Sequence, residues 1–114
     1  MNYKTQGFIK DINLMTGMFT VDPVPPYAFD GHDSNGASKK HMLFVLGDAG
    51  DANIKAVVAS AKLELKLPAS IKGGVDLLIA MRHEHDKLEI EIDEKKLTEE
   101  AQTSVSVTGL KIVK

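Results

Sequence analysis

The chain has 114 residues, a formal net charge of -2 and no cysteine. The absence of cysteine excludes disulfide bridges, thiolate nucleophiles and cysteine-bound zinc. The length suits one folded domain, and 43% hydrophobic with 26% charged residues is a globular composition. We therefore predict a single domain over residues 1–114.

The charge pattern and the low aromatic content argue against nucleic acid as a partner. Arg82 is the only arginine, the lysines are scattered, and aromatic residues make up 5% of the chain without any Trp. Nucleic-acid binders carry a basic patch, and single-strand binders add aromatic stacking platforms. The longest apolar runs are too short to span a bilayer, and the first residues do not resemble a signal peptide. We expect no membrane association and a cytoplasmic location.

The first predicted element is a β-hairpin over residues 5–22. Apolar residues that favour strands lie on both sides of a turn signal at residues 15–17, which contains Gly17. The pattern of residues 7–12 (GFIKDI) and 17–21 (GMFTV) is similar to the opening hairpin of an OB-fold. That resemblance implies a five-stranded barrel that binds oligomers or proteins on one face.

Residues 23–40 are predicted to form a long Pro/Gly-rich loop. The segment holds three of the four prolines, and residues 33–36 (DSNG) are turn formers. A long loop in a small domain is often functional, because binding residues concentrate in loops on rigid scaffolds. We therefore predict that this region binds a ligand through four residues: Tyr27, Phe29, His32 and His41.

The middle of the chain holds one clear strand and one ambiguous segment. Residues 41–47 (HMLFVLG) form a continuous apolar run bounded by turn residues, which predicts a buried strand. Within residues 51–67, strict alternation over residues 59–67 favours a strand. The spacing of Ile54, Val57, Val58, Ala61 and Leu65 also fits one face of a helix, so an α+β alternative with a helix near 51–61 stays open.

The last third is predicted to add three strands. These are residues 75–82, residues 87–93 after a bend at residues 83–86, and residues 103–113 with a bulge at Gly109. Residues 93–102 are predicted to form a short helical turn or a surface loop. The chain is therefore mainly β: a small antiparallel β-barrel or sandwich of six to seven strands, with at most one or two short helices.

The residues whose types and spacing best match a metal site are His83, His85 and Glu89. In a strand these three side chains would share a face, and the spacing His-x-His-x-x-x-Glu resembles the first half of the cupin metal motif. The resemblance covers residues 82–89, but the flanking glycines and a second His motif are missing. A second group, Asp30, His32, Asp33 and Asn35, lacks the spacing of a calcium loop. We therefore expect no metal, no cofactor and no catalytic residue.

Three functions from different classes remain open. The first is a non-enzymatic binding module that engages a small ligand or a protein partner through the 23–40 region. The second is a metal-dependent or acid/base enzyme that uses His83, His85, Glu89 or His32. The third is a structural protein that self-associates as a homodimer through an edge strand, either residues 103–113 or residues 87–93.

Overall fold

A computed structural model describes residues 2–32, 35–36, 38–46, 55–97 and 103–113. Within them lie nine strands of one mixed sheet and one short helix, which confirms the mainly β prediction. The strands are β1 (Asn2–Ile12), β2 (Met18–Pro23), β3 (Ala28–His32), β4 (Ser38–Leu46), β5 (Lys55–Ser60), β6 (Glu64–Lys66), β7 (Leu88–Asp93), β8 (Ser104–Ser106) and β9 (Gly109–Ile112). Helix α1 (Gly74–His83) precedes β7.

Strand β1 is the centre of the sheet. One of its edges pairs antiparallel with β7 over residues 2–7. Its other edge pairs with β4 at Tyr3 and Lys4 and with β2 from Gly7 to Ile12. The predicted hairpin of β1 and β2 is therefore confirmed. The fold depends on this strand, because three neighbours are anchored to it.

The C-terminal segment changes partner between Val107 and Thr108. Strand β8 runs parallel to β6, and the Val107 N–H donates to the Lys66 carbonyl at 2.8 Å. From Thr108, whose N–H donates to the Glu91 carbonyl at 2.8 Å, the chain pairs instead with β7 through β9. This switch divides the strand predicted at residues 103–113 and makes the sheet mixed rather than purely antiparallel.

The sheet curls around its core without closing into a barrel. The order β2–β6–β8 follows β1 on one side, and β7 with β9 follows it on the other. Among the described residues no ladder joins β8 to β9; the chain itself links them at residues 107–108. The closed five-stranded barrel implied by the opening hairpin is therefore not formed by the described residues, whose strands make an open, curled sheet.

A second branch of the sheet is built on β4. One edge of β4 pairs with β5, and the other pairs with β3 over residues 38–42 and then with β1. The predicted buried strand is confirmed, since Met42, Phe44 and Val45 are buried. The predicted loop at 23–40 is corrected, because β3 and the start of β4 form a hairpin within it. The three prolines precede β3, and residues 28–32 are free to pair.

Two further sequence predictions are corrected by the structure. Residues 55–60 are strand β5, so the alternative helix near 51–61 is wrong over its described part; residues 51–54 lie outside the described residues. The strand predicted at 75–82 is helix α1. An apolar run of this length does not by itself distinguish a buried strand from a buried helix. Here Leu78 and Met81, one helical turn apart, face the core.

Helix α1 is bounded by residues in the left-handed region. Gly73 has a φ of 103° before its first turn, and His85 has a φ of 55° after its last. The His85 N–H donates to the Arg82 carbonyl, and the Asp86 N–H donates to the Met81 carbonyl at 3.1 Å. This is the Schellman pattern that ends many helices.

One apolar core holds the elements together. Its side chains come from alternate positions of the strands, from α1 and from the turn after β7. Strand β7 shows the pattern best: Leu88, Ile90 and Ile92 are fully buried, whereas Glu89 and Glu91 point outward. Because β7 pairs on both edges, with β1 and β9, the prediction that residues 87–93 form a free edge strand is wrong.

Candidate functional site

The four residues predicted to bind a ligand lie in or beside the β3–β4 hairpin. Phe29 and His41 are cross-strand partners, and the His41 ring lies over Gly31, where an added Cβ would come within 2.7 Å of it. Tyr27 is half-buried, and its carbonyl accepts a 2.8 Å hydrogen bond from the Leu43 N–H. His32 is exposed at the far end of β3. Tyr27, His32 and His41 line none of the three clefts described below.

The structure separates the three residues of the predicted metal group. His83 is the last residue of α1, His85 follows it in the left-handed conformation, and Glu89 lies in β7. The three do not share a strand face, because His83 ends a helix and His85 lies in the turn after it. The His85 ring instead stacks on Phe8 at 4.2 Å between centroids, with 5° between the ring planes.

Glu89 is engaged in structural contacts on the outward face of the sheet. Its Oε2 lies 2.8 Å from the Lys111 Nζ, and the Gln6 amide donates to its Oε1 at 3.4 Å. The hydrogen bond from Lys111 lowers the pKa of Glu89 below the ordinary value of 4.5, against partial burial, which raises it. The same bond raises the pKa of Lys111. Glu89 is therefore held as an ionised carboxylate, which does not suit a general acid.

No metal-binding group emerges from the described ranges. No three His, Asp or Glu side chains there lie close enough together to hold an ion. In the second predicted group, Asp30 and His32 are exposed on β3. Asp33 lies outside the described residues.

The clearest concave feature crosses the outward face of β2, β6 and β8. A cleft of about 270 Å³ lies there. Lys66 and Ser106 are direct neighbours in the parallel β6–β8 ladder, and Met18 of β2 pairs with Lys66 on its other side. Its lining is Met18, Lys66, Lys96, Ser104, Val105 and Ser106. Two lysines and two serines thus line one cleft.

A second cleft of about 380 Å³ adjoins the first, because Met18 lines both. It extends toward the β1–β2 turn and carries charges of both signs. Its lining is Asp11, Ile12, Asn13, Met18, Phe19, Thr20, Lys62 and Glu64. We call the two clefts together the sheet groove. One end of the groove is cationic, and the other is mixed.

The packing beneath the sheet groove fixes its polar residues in place. Phe19, Leu65 and Val105 are 1%, 0% and 7% exposed, and they alternate with Met18, Lys66 and Ser106 along the same three strands. Because side chains alternate along a strand, burying these positions directs Met18, Lys66 and Ser106 outward. The groove is therefore part of the rigid sheet.

Sequence reasoning missed the sheet groove. Its cationic end combines β6 with β8, and these strands are neighbours only through a parallel pairing of residues 64–66 with residues 104–106. The available signal was the polar face of each alternating strand, with Lys66 on one and Ser104 and Ser106 on the other. Nothing in either segment alone indicates that they lie side by side.

A third cleft, of about 320 Å³, lies between β1 and α1. It is lined by Ile12, Ile79, Arg82 and His83. The three helix residues are spaced i, i+3 and i+4, which places them on one helix face. This cleft has apolar walls and two basic side chains, and among the described residues its lining comes from β1 and α1 alone.

Comparison with family models, with curated proteins and with solved structures found no match to this chain. Among the described residues, no helix has the length and apolar character needed to cross a membrane. The sheet groove therefore has to be interpreted from its own chemistry.

Proposed function

We propose that the protein is a non-enzymatic binding module that holds an extended segment of a partner protein in the sheet groove. The observation that carries this proposal is that Lys66 and Lys96 line one cleft together with Ser104 and Ser106. Groups from β6, from β8 and from the turn after β7 meet there. Binding sites built on strands hold their geometry better than sites built on loops.

The charge distribution defines the ligand that fits. The lysine end of the sheet groove matches a carboxylate, for which an ammonium supplies up to three donors and each hydroxyl a further one. The other end carries Asp11 and Glu64 together with Lys62, and it would repel a uniformly acidic ligand. A peptide segment with acidic residues at one end and a basic or amide residue at the other fits both ends.

The resemblance of the opening hairpin to the OB-fold adds support. Ligands of that fold lie across the face of its second and third strands, beside the loop that joins the first two. The sheet groove likewise includes β2, the second strand of that hairpin, and reaches the β1–β2 turn at Asn13. We therefore favour the sheet groove over the third cleft and over the 23–40 region.

The 23–40 region stays a prediction as an alternative site for a small ligand or a protein partner. The hairpin of β3 and β4 holds or adjoins all four predicted residues, so a ligand lying along β3 would reach several of them: Tyr27, Phe29, His32 and His41.

We also propose a cytoplasmic location, which fractionation of cells that express the chain would test.

The binding proposal is tested with a capped pentapeptide that carries two glutamates at one end and a lysine at the other. An analogue with glutamines in place of the glutamates measures the carboxylate contribution. We expect tighter binding of the glutamate peptide by calorimetry. Lys66→Gln should weaken that binding about two- to fivefold, the size of one exposed ion pair.

The matched control is Lys72→Gln, which removes an exposed lysine that does not line the sheet groove. It should leave the affinity for the glutamate peptide unchanged. Equal affinity for the two peptides would overturn the proposal, as would equal effects of the two lysine substitutions.

Self-association as a homodimer is a second candidate function, and a specific observation favours it. Strand β5 pairs only with β4 among the described residues, so one of its edges has no strand beside it. An open edge presents unpaired backbone groups that a second chain can satisfy. Light scattering at increasing protein concentration measures this directly, and a monomeric mass at several hundred micromolar would contradict it.

A further inference from the structure

The open edge of β5 lacks the features that usually protect an edge strand. Residues 56–60 (AVVAS) include no charge and no proline. Natural edge strands are commonly blunted by lysines, prolines or bulges. The pairing with β4 is regular from residue 55 to residue 60, without a bulge. Lys55 is the one charged residue of β5 and stands at its start, so the five regular and uncharged residues after it are suited to pairing with another strand.

The side chains of β5 also divide cleanly between the two faces. Val57 is 5% exposed and packs in the core, whereas Val58 is 50% exposed on the opposite face. Val58 is the cross-strand partner of Leu43, which is half-buried. An apolar pair is therefore partly open to solvent next to the open edge.

We infer that β5 pairs antiparallel with β5 of a second copy of the chain, about a two-fold axis through Val58. The inference rests on the proposed homodimer and adds the identity of its seam. Val58 then lies opposite Val58 of the second copy, Val57 opposite Ala59, and Ala56 opposite Ser60. An isologous contact of this kind is self-complementary by symmetry.

This register is favoured by charge and by burial. It pairs five residues of each strand and places no charged side chain opposite another, whereas a register centred on Lys55 would set two lysines face to face. Like charges directly opposite each other destabilise a strand pair. The register centred on Val58 also brings together the two most exposed apolar side chains of the seam.

The size of the seam sets the expected affinity. With five paired residues on each side, the seam is smaller than a standard interface, which has about 20–30 residues a side. The dimer should therefore exchange with monomer, and its population should rise over the range from about 10 to several hundred micromolar. The seam lies on the β4 branch of the sheet, whereas the sheet groove lies on the β2–β6–β8 side.

A cysteine variant tests the seam without competing thiols, because the chain has no cysteine of its own. Directly opposite residues in an antiparallel pair have Cα atoms about 4.5–5.5 Å apart, which is within the range of disulfides. Val58→Cys treated with diamide should therefore form a disulfide-linked dimer. Ala56→Cys should not, because its own copy lies roughly 13 Å away along the strand, four residues distant.

Ile79→Cys is the matched control for random collisions. Ile79 lies in α1 and is 46% exposed, close to the 50% of Val58. Its cross-linking should be no greater than that of Ala56→Cys. Circular dichroism should show native strand content in all three variants, since each replaces a side chain that is exposed.

A second variant provides a readout that does not depend on disulfide chemistry. Val58→Lys places two ammonium groups opposite each other and should weaken the dimer at least tenfold by light scattering. Ile79→Lys, on helix α1, should leave the mass unchanged. A dimeric mass that neither Val58 variant affects would overturn this seam and leave the homodimer standing. A wild-type chain that is monomeric at several hundred micromolar would overturn both.

Discussion

Thr5 is the one polar residue among the fully buried side chains of the described structure. None of its surface is exposed, and within the described residues its hydroxyl has no hydrogen-bond partner. A buried hydroxyl without a partner costs about 1–3 kcal/mol. We expect Thr5→Val, which has nearly the same shape, to raise the free energy of unfolding by about 1 kcal/mol in urea denaturation.

Thr108 is the matched control for this prediction. Its hydroxyl donates a 3.0 Å hydrogen bond to the Glu91 carbonyl at the point where the C-terminal segment changes partner. Thr108→Val should therefore lower the free energy of unfolding by about 0.5–1.5 kcal/mol. If both substitutions shift stability in the same direction, the environment assigned to Thr5 is incorrect.

The ion pair between Glu89 and Lys111 predicts a specific pH dependence. Because the pKa of Glu89 is lowered in the folded chain, its ionised form stabilises the fold above the ordinary pKa of 4.5. That contribution is lost as the pH falls through the folded-state pKa. Glu89→Gln should therefore be less stable than the wild type at neutral pH, and the gap should close in acid.

Urea denaturation from pH 7 to pH 3 measures this gap. Glu94→Gln, which changes an exposed glutamate in the turn after β7, is the control and should show no gap that depends on pH. A constant difference between Glu89→Gln and the wild type across this range would contradict the prediction.

At the scale of elements, β1 depends on Gly7. This residue pairs with Pro23 on one edge and with Leu88 on the other. An added Cβ would lie 2.4 Å from the Asp22 carbonyl oxygen and 2.9 Å from the Pro23 Cα. Because these are backbone atoms, the strands would have to shift. Gly7→Ala should cost about 1–3 kcal/mol of stability, as overpacking does.

Gly109→Ala is the comparison for Gly7→Ala. A Cβ at Gly109 would meet the Glu91 Oε2 at 3.4 Å, an ordinary contact with a flexible side chain. Removing a strand glycine without a clash restricts the unfolded chain and favours folding by up to about 1 kcal/mol. Thermal unfolding should move in opposite directions for the two variants. A loss at Gly109 as large as that at Gly7 would refute this account.

Some elements were predictable from their local sequence patterns and others were not. The alternation over residues 59–67 predicted one strand, which the structure divides into the end of β5 and β6 around a turn at residues 61–62. The β1–β2 hairpin and β7 follow from alternation around turns, and β4 follows from its continuous apolar run. Helix α1 was missed because its run of Leu77, Leu78 and Ile79 hides the helical spacing of Leu78 and Met81. Strand β3 was missed because the prolines before it dominate the local composition. It forms because β4 provides a partner.

For the whole molecule, the sequence predicted one curled β domain but not where its concave surface lies. The cationic end of the sheet groove requires β6 and β8 to pair across a separation of about forty residues, which no local pattern specifies. The spacing of His83 and His85 resembles that of a metal motif. In the structure His83 is the last residue of α1, and the His85 ring stacks on Phe8. In this chain the location of the groove follows from which strands pair, and the spacing of chemically suggestive residues does not indicate it.

The most direct measurement for the central claim is a map of amide chemical shifts in ¹⁵N-labelled protein during titration with the glutamate peptide. We predict that the largest changes fall on Met18, Lys66 and Ser104–Ser106, that they saturate, and that Lys66→Gln reduces them. Saturating changes confined to the β3–β4 hairpin, around Tyr27, His32 and His41, would contradict the sheet groove as the binding site.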